Sequence, residues 1–297
     1  MKNGIFFSLP GNALLTHALE SKLGIDIGSF DLHAFPDGES YLRIHAPLQH
    51  KTAILVCSLD HPNSNILPLM FMAKTIKTLG ANKICLLSPY LPYLRQDTCF
   101  NPGEAITSTL FASYLSGWID HLITLDPHLH RIHHLADIYT IDSLSVLHAA
   151  KKIAEWISHH VTSPFLIGPD EESEQRIAEV ASILAAPYAI IKKTRHGDRS
   201  VSIDVPDIKA SNNTPILIDD IISTGTSMLA AVEQLISRGY HRPICIGVHA
   251  LFDHEVYDKL LLAGAQNVIS CNTINHFSNQ IDITDLIAEE VKRLLLC

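Results

Sequence analysis

The sequence has few basic residues and no long apolar run, and both deficits exclude classes of partner. Lysine and arginine number 22 against 31 aspartates and glutamates, for a net charge of −9. A nucleic-acid surface requires clustered Lys and Arg, so this balance predicts no nucleic-acid partner. No apolar run approaches the ~20 residues that a membrane-spanning helix needs. The sequence therefore also predicts no association with a membrane.

Paired cysteines are missing as well. The six cysteines show no paired spacing, and most lie in apolar runs, which is typical of small core residues in a reducing compartment. Neither a disulfide framework nor a zinc site is expected. The N-terminal apolar patch is too short for a signal peptide and is interrupted by Pro10, Gly11 and Asn12. These features predict a cytoplasmic protein.

What the sequence does contain is an alternation of strand-like and helical patterns. With 297 residues, of which 47% are hydrophobic, the chain can form two domains of about 150 residues each. The alternation predicts an α/β protein with parallel sheets covered by helices on both faces. Strands are expected at 53–57, 83–87, 122–125, 165–168, 189–192, 216–218, 244–249 and 267–270, and helices at 66–79, 106–115, 143–159, 174–184 and 227–238.

A pattern that occurs twice in the sequence suggests that the chain contains two versions of one unit. An apolar run at 54–56 is followed by an acid at Asp60, a polar loop and a helix, and the run at 216–218 is followed by Asp219, Asp220, a polar loop and a helix. Only the second copy keeps a Ser/Thr/Gly loop. The expected domains are residues 1–143 and 144–297.

The most informative segment is residues 216–228, Ile-Leu-Ile-Asp-Asp-Ile-Ile-Ser-Thr-Gly-Thr-Ser-Met. Its apolar run predicts a parallel strand whose carboxyl end carries Asp219 and Asp220, where open α/β sheets bind ligands. The loop that follows consists of Ser223, Thr224, Gly225, Thr226 and Ser227. It opens a helix, and helix N-termini attract phosphate. A phosphate cradle beside two carboxylates suits a phosphorylated sugar, whereas a merely structural strand and cap leaves the two charges unexplained.

The segment at Asp219 resembles the ribose-phosphate loop of type I phosphoribosyltransferases and of ribose-phosphate pyrophosphokinases (PRPP synthetases). Three further segments are similar to the second family alone. They are Ser-Pro-Tyr-Leu-Pro-Tyr-Leu-Arg-Gln-Asp at 88–97, Leu-Asp-Pro-His at 125–128, and Phe-Pro-Asp-Gly-Glu at 35–39, the form of the shorter, archaeal-like members. The resemblance implies two tandem type I phosphoribosyltransferase-like domains, each a mostly parallel sheet flanked by helices.

The resemblance also implies an activity and a set of binding residues. The activity is transfer of the β,γ-diphosphoryl group of ATP to the C1 hydroxyl of ribose 5-phosphate, a reaction that needs positioning and charge neutralisation. The residues expected at ATP are Phe35, stacked on adenine, and Asp37, Glu39, Arg95, Gln96 and Asp97. Those expected at the ribose phosphate are Asp219, Asp220 and the five loop residues Ser223 to Ser227.

Mg²⁺ is the cofactor that the resemblance implies, with His128 and Asp170 as its expected ligands. A histidine is unusual for Mg²⁺, which prefers oxygen, so this role rests on the resemblance. His130, His133 and His134 lie near His128, with Arg131 among them. Their spacing favours a polar helix face over a metal cluster.

Lys193 and Arg195 are the expected catalytic residues, because the family carries a Lys-x-Arg after the corresponding strand. Cations aimed at charge that develops on transferring phosphates supply a large part of catalysis. Lys192 is adjacent, but successive strand residues point to opposite faces. Only one of the two lysines is therefore expected to reach the site.

The chain departs from the family after Asp170, where Asp-Glu-Glu-Ser-Glu replaces the small residues and glycines that are usual there. Carboxylates at Glu171, Glu172 and Glu174 would repel phosphates unless they are turned outward or bridged by Mg²⁺. Two alternatives to an active synthetase therefore stay open: a catalytically silent or regulatory homologue, and a phosphoribosyltransferase that consumes PRPP. The resemblance further implies a homo-oligomer built from dimers.

Overall fold

The computed structural model describes residues 3–196, 200–204 and 213–296, without the side chains of residues 192–196 and 200–204. Strands and helices alternate along the chain. The strands are β1 (Gly4–Ser8), β2 (Phe30–Ala34), β3 (Ser40–Ile44), β4 (Thr52–Val56), β5 (Lys83–Leu87), β6 (His121–Leu125), β7 (Ser143–Leu147), β8 (Pro164–Gly168), β9 (Tyr188–Ile190), β10 (Lys192–His196), β11 (Ser200–Asp204), β12 (Thr214–Ile222), β13 (Ile244–Ala250), β14 (Asn267–Cys271) and β15 (Asn279–Ile281). The helices are α1 (Ala13–Leu23), α2 (Pro62–Thr78), α3 (Thr107–Ser116), α4 (Ala150–His160), α5 (Glu174–Leu184), α6 (Thr226–Ser237), α7 (His254–Leu262) and α8 (Thr284–Leu296).

The chain forms two compact units. The first comprises Met1–Leu147, Thr273–Asn275 and Thr284–Cys297, and the second comprises His148–Asn272 and His276–Ile283. The last helix, α8, therefore belongs to the first unit although it follows the second in sequence. The domain boundary predicted between residues 143 and 144 stays a prediction.

The first unit contains a five-stranded parallel sheet in the order β1-β4-β5-β6-β7. Each new strand is added on the same side, so the strand order never reverses. One core cluster contains Leu55 and Leu86 of the sheet with Met72 of α2 and Phe111 of α3, all of them buried. Helix α8 packs against α1 and β7. The predicted α/β architecture is confirmed.

The second unit contains a six-stranded parallel sheet in the order β15-β14-β13-β12-β8-β9. From β8 the chain adds β9 on one side, and β12 to β15 on the other. The order therefore reverses between β8 and β12. In open α/β sheets, ligands bind in the crevice at the carboxyl ends of strands that flank such a reversal.

Two antiparallel ribbons accompany the sheets, β2–β3 in the first unit and β10–β11 in the second. Ribbon β2–β3 has one apolar side, from which Phe30, Leu42 and Ile44 pack against the core of the first unit. Its other side carries the side chains of alternate residues and reaches solvent. The ribbon is therefore anchored along one face and exposed along the other.

Most predicted elements are confirmed, and β5 and α5 have the predicted bounds. The helix predicted at 143–159 is wrong in its first half, where residues 143–147 form β7 and helix α4 begins only at Ala150. The sequence Ser-Leu-Ser-Val-Leu alternates with period 2, which is compatible with a strand. Pairing with β6 at the edge of the sheet then makes it one. The strand predicted at 189–192 is confirmed for its first two residues only, because β9 ends at Ile190 and Lys192 begins a separate ribbon.

None of the described helices is long and apolar enough to cross a membrane. Among the described cysteines, Cys57, Cys85, Cys245 and Cys271 are buried, Cys99 is exposed, and all five are free thiols. Burial raises the pKa of the Cys57 thiol to about 12, so this residue behaves as a small apolar core side chain.

Candidate functional site

The Ser/Thr/Gly loop of the second unit joins β12 to α6. Gly225 precedes α6 with φ +71°, a conformation that glycine adopts without strain. A Cβ at this position would lie 2.6 Å from Cγ1 of Val256 on α7. The Thr224 and Thr226 hydroxyl oxygens are 3.1 Å apart, and both residues are exposed. The loop therefore presents two hydroxyls and a helix N-terminus to solvent, with its backbone tightened by a glycine.

Two carboxylates lie in β12 just before this loop. The strand was expected to end at Ile218, but it continues to Ile222, because pairing with β13 persists after pairing with β8 has stopped at Leu217. The Asp220 N–H donates to Asp219 Oδ1 at 2.9 Å, and the Ile221 N–H donates to Asp220 Oδ1 at 2.8 Å. The acids thus stand on a rigid strand at the reversal of the sheet.

Burial raises the pKa of Asp219 well above its usual range. The negative charge of Asp220, a hydrogen bond with it and the charge of Asp170 raise the pKa further, while Arg176 opposes them. Asp219 therefore holds a proton more readily than an ordinary carboxylate. A cation or a hydroxyl donor placed beside it would relieve this repulsion.

Asp170 follows β8, on the other side of the reversal. Its carboxylate accepts from the Ser173 N–H at 3.3 Å, and the Ser173 hydroxyl donates to the Asp170 carbonyl at 2.6 Å. Glu171, Glu172 and Glu174, the acids that follow, are all exposed. They lie in a short 3₁₀ turn, Glu171–Ser173, and at the start of α5, where the helix dipole favours negative charge.

Arg176 of α5 was not singled out from the sequence. Its Nη2 lies 3.8 Å from Asp220 Oδ2, and the two side chains are only 17% and 13% exposed. Its Nε is buried and has no hydrogen-bond partner among the described residues. The sequence contained one signal for it. Arg176 precedes Ile177 and lies near the face of α5 whose residues Val180 and Ala181 are buried. A cation on an apolar face indicates a charged partner.

The basic segment lies in β10, where Lys193 pairs with Ile203 and Arg195 with Val201 of β11. Both residues are thus part of a two-stranded ribbon instead of following the strand predicted at 189–192. Their side chains lie outside the described part of the structure. Their assignment as catalytic residues stays a prediction.

In the first unit, Phe35 begins the turn of ribbon β2–β3. Its N–H donates to the Glu39 carbonyl at 2.7 Å, and its own carbonyl accepts from the Gly38 N–H at 2.9 Å. Phe35 is 45% exposed, and Asp37 and Glu39 are also exposed. The turn therefore presents one aromatic ring and two carboxylates to solvent.

Arg95, Gln96 and Asp97 lie in the irregular segment between β5 and α3. Arg95 is exposed. The Asp97 carboxylate accepts from both the backbone N–H and the Nη1 of Arg131, each at 3.0 Å. Burial alone would raise the pKa of Asp97, but its bonds to Arg131 and the guanidinium charge outweigh it, and the pKa is lowered. Asp97 therefore remains ionised and holds Arg131 in place.

The segment after β6 is not helical, so the polar helix face predicted for His130, His133 and His134 is wrong. Its backbone N–H groups bond to carboxylates instead of to carbonyls one turn back: that of Arg131 to Asp97, and that of His134 to Asp137. Only a 3₁₀ turn forms, at Leu135–Asp137. The segment instead brings the His128 and His130 rings into contact, with centroids 4.0 Å apart.

Across the described residues, no group of three or more His, Cys, Asp and Glu side chains could hold a metal ion alone. Asp170, Asp219 and Asp220 belong to the second unit, and His128 belongs to the first. Of the predicted site residues, the structure thus brings the three carboxylates and the Ser/Thr/Gly loop together in one unit. It keeps the expected nucleotide residues in the other.

Comparison with known proteins gives consistent matches along the whole chain. Residues 5–117 match the N-terminal domain of ribose phosphate pyrophosphokinase, and residues 141–285 match the phosphoribosyl transferase domain. The ribose-phosphate pyrophosphokinase of Sulfolobus acidocaldarius is 33% identical over 87% of this chain and 89% of its own. That of Methanobrevibacter smithii is 27% identical, covering 94% and 96%. The crystal structure of phosphoribosylpyrophosphate synthetase from Mycobacterium smegmatis superimposes with a TM-score of 0.88 at 24% identity, over 99% of both chains.

Proposed function

Since this chain belongs to the ribose-phosphate pyrophosphokinase family, we propose that it transfers the diphosphoryl group of ATP to the C1 hydroxyl of ribose 5-phosphate. The products are 5-phosphoribosyl 1-diphosphate and AMP. The observation that carries the proposal is the pair Asp219 and Asp220 beside the loop that opens α6, at the reversal of the second sheet. A site that binds only phosphate does not need two carboxylates there. A ribose does, because its hydroxyls can donate hydrogen bonds to them.

The loop binds the 5-phosphate in this proposal. Thr224, Thr226 and Ser227 supply hydroxyls, Ser223 and Gly225 shape the turn, and the N-terminus of α6 supplies N–H donors and partial positive charge. Asp219 and Asp220 accept from the ribose hydroxyls, which lowers the repulsion that raises the pKa of Asp219. Arg176 positions Asp220 through their close approach.

Phe35 stacks on the adenine, and Asp37 and Glu39 meet the base and ribose of ATP. Arg95 is exposed and supplies positive charge to the nucleotide phosphates. Gln96 and Asp97 complete the nucleotide set, with Asp97 acting through Arg131. Lys193 and Arg195 neutralise the charge that develops on the transferring phosphates, which is the main electrostatic task of such a reaction.

The implied Mg²⁺ fits the carboxylates better than the histidine. Mg²⁺ prefers oxygen ligands and is usually held by one or two carboxylates together with substrate phosphates. Asp219 is crowded by Asp220 and Asp170, so an oxygen-rich, negatively charged set exists in the second unit. When bound, Mg²⁺ would neutralise phosphate charge. His128, the other expected ligand, offers nitrogen.

The alternative of a catalytically silent homologue was based on the acidic residues after Asp170. Glu171, Glu172 and Glu174 are exposed and stabilise the start of α5. They are thus explained without a loss of activity, and an active enzyme is the better proposal. By family resemblance we also propose that it works in the cytoplasm as a homo-oligomer.

The test is to incubate the purified protein with Mg²⁺, ATP and ribose 5-phosphate and to identify the nucleotide product by chromatography. We expect AMP, and only when the sugar phosphate is present. ADP would indicate an ordinary kinase. AMP formation that needs no sugar phosphate would indicate a hydrolase.

A further inference from the structure

A histidine of the second unit, His276, holds the start of helix α7. Its Nε2 lies 2.7 Å from the Phe252 carbonyl oxygen. Its Nδ1 lies 2.7 Å from the Ser278 hydroxyl oxygen and 3.3 Å from the Ser278 backbone nitrogen. Phe252 and Ser278 are both buried. His276 therefore joins the segment after β14 to the segment that leads into α7.

These partners fix the protonation state of His276. A carbonyl oxygen only accepts and a backbone N–H only donates, so the ring must carry its proton on Nε2 and none on Nδ1. Burial lowers the pKa of His276, although the bond to the Phe252 carbonyl opposes this effect. The imidazole is thus neutral at pH 7, with both of its nitrogens hydrogen-bonded.

The Nδ1 side of the ring is anchored in the sheet. Since Nδ1 carries no proton, the Ser278 hydroxyl donates to it, and the Ser270 hydroxyl of β14 donates to the Ser278 oxygen at 2.7 Å. Asn279 Nδ2 donates to the Ser270 hydroxyl oxygen at 2.9 Å and to the Cys271 carbonyl at 2.8 Å. The side-chain donors in this chain of bonds all have acceptors, and such satisfied networks are rigid.

The next residue, Phe277, holds the first turn of α7 through ring contacts. Its ring stacks on His254, with centroids 3.9 Å apart and planes 11° apart, and meets Tyr257 edge-on at 5.3 Å. The His276 ring also contacts the Phe252 ring, with centroids 4.6 Å apart. Residues 276–278, the α7 clamp, therefore fix this turn by a hydrogen bond and by ring packing.

Two contacts join the clamped turn to the Ser/Thr/Gly loop of residues 223–227. The Leu251 N–H donates to the Ile222 carbonyl at 2.8 Å, directly before the loop begins. Val256 of α7 packs against Gly225, since a Cβ on that glycine would lie 2.6 Å from Val256 Cγ1. The conformation of the loop therefore depends on the position of residues 251–256.

Phe252 and Asp253 lie between these two contacts and connect the clamp to them. Asp253 caps α7, because its Oδ1 accepts from the Val256 N–H at 3.0 Å. Phe252 precedes the cap and is bound to His276. Loss of that bond would leave a buried carbonyl without its partner. It would loosen the turn that supports the loop.

We propose that His276 is a positioning residue for the sugar-phosphate site, and that it sets the conformation of the Ser/Thr/Gly loop through Phe252 and the first turn of α7. The proposal rests on the proposed function for the identity of the ligand, ribose 5-phosphate. Its statement about the loop is independent of the reaction. The residues expected to bind ATP lie in the other unit, so loss of His276 affects the sugar phosphate selectively.

The experiment compares two substitutions that separate the two bonds of His276. In His276→Asn the side-chain amide can accept from Ser278, but it is too short to reach the Phe252 carbonyl. In His276→Gln the longer amide can donate to that carbonyl. His241→Asn, which changes an exposed histidine of the same unit, is the matched control.

We expect His276→Asn to speed amide exchange in residues 223–227, measured by hydrogen–deuterium exchange with mass spectrometry. It should weaken ribose 5-phosphate binding, measured by calorimetry, by about tenfold and leave the KM for ATP close to that of the wild type. His276→Gln should recover most of the exchange protection and of the affinity. His241→Asn should behave as the wild type does.

Unchanged exchange in residues 223–227 of a folded His276→Asn variant would overturn the proposal. A lower unfolding midpoint with wild-type affinity for ribose 5-phosphate would also overturn it, since His276 would then only stabilise the unit. Ser278→Ala, which removes one partner of Nδ1, is a milder second variant that should speed exchange in the same residues, and an unchanged loop in it would count equally against the proposal. AMP formation by the wild type reports on the proposed function alone. A protein that forms no AMP but shows the exchange differences would refute that function and retain the role of His276.

Discussion

At the scale of single residues, the main feature of the candidate site in the second unit is a set of carboxylates that the fold places close together. Asp219 is the clearest case, because burial, Asp220 and Asp170 all raise its pKa. The native state therefore binds a proton at Asp219 more tightly than the unfolded chain does. The free energy of unfolding consequently falls as the pH rises from the ordinary carboxyl range through the raised pKa of Asp219. Asp219 therefore lowers the stability of the protein at neutral pH.

Asp219→Asn should remove that loss of stability. We expect the unfolding midpoint to rise by a few degrees at neutral pH and the difference from the wild type to shrink in acid, where Asp219 is protonated in both states. Thermal unfolding across a pH series measures this. The variant should at the same time bind ribose 5-phosphate much more weakly. A variant that is less stable than the wild type at neutral pH would show that the carboxylate is a net stabiliser.

Lys193→Ala tests the cation assigned to the transferring phosphates. We expect turnover to fall by about 10²–10³, as on loss of one preorganised donor, while ATP binding stays nearly intact. Steady-state kinetics with a separate nucleotide-binding titration would measure both. Lys192→Ala is the matched control, since successive strand residues point to opposite faces, and it should retain most of the rate. Equal losses in both variants would contradict the assignment.

At the scale of elements, the conformation of the Ser/Thr/Gly loop depends on the packing of α7 against Gly225. Gly225 combines a positive φ with a Val256 methyl group 2.6 Å from the position of a Cβ. The loop sequence shows that glycine is suitable here. It does not show which neighbour forbids a side chain, because Val256 is distant in sequence and reaches the loop only through the fold.

Gly225→Ala should therefore destabilise the protein and disturb phosphate binding. Backbone strain of this kind costs about 1–3 kcal/mol, and the collision with Val256 adds to it. Gly239→Ala is the control, since Gly239 has φ +78° and a Cβ added there would meet no described atom within 4 Å. Urea unfolding compares the two, and Val256→Ala should recover part of the loss at Gly225. Equal costs at both glycines would show that the contact with Val256 is unimportant.

Helices and strands were predicted correctly where their own sequence pattern determines them, and less well where contacts with distant residues do. Strand β5 and helix α5 have the predicted bounds, since an apolar run and an amphipathic pattern define them without further context. Residues 143–147 read equally well as the start of a helix, and only pairing with β6 decides for a strand. The contact between His128 and His130 was missed for the same reason: bonds from distant Asp97 prevent the helix that the spacing favours. Asp219, Asp220 and the loop after them were predicted from the strand–loop–helix pattern, and the other predicted site residues came from motif resemblance. Arg176, which lies outside the motifs, was overlooked.

At the scale of the whole molecule, the two ends of the chain belong to one unit. Helix α8 buries Ile287 and Val291 and packs against α1 and β7. Lys22 of α1 pairs with Asp285 at 2.6 Å, and Ser145 of β7 bonds to Glu290. The first unit is therefore complete only when synthesis of the second has finished.

Ile287→Ala should accordingly weaken the first unit from the far end of the sequence. Removal of a fully buried isoleucine side chain costs about 2–5 kcal/mol. We expect faster amide exchange in α1 and β7, measured by hydrogen–deuterium exchange with mass spectrometry. Lys292→Ala, on the same helix, is the control and should change little. Faster exchange confined to α8 would contradict the shared core.

The central claim is that an intact diphosphoryl group moves from ATP to the sugar. The most direct measurement uses two parallel reactions, with ATP labelled at the β-phosphorus in one and at the γ-phosphorus in the other, both with Mg²⁺ and ribose 5-phosphate. We predict that both labels enter the same sugar product in equal amounts and that unlabelled AMP accumulates. Transfer of the γ label alone, with the β label left in ADP, would contradict the account.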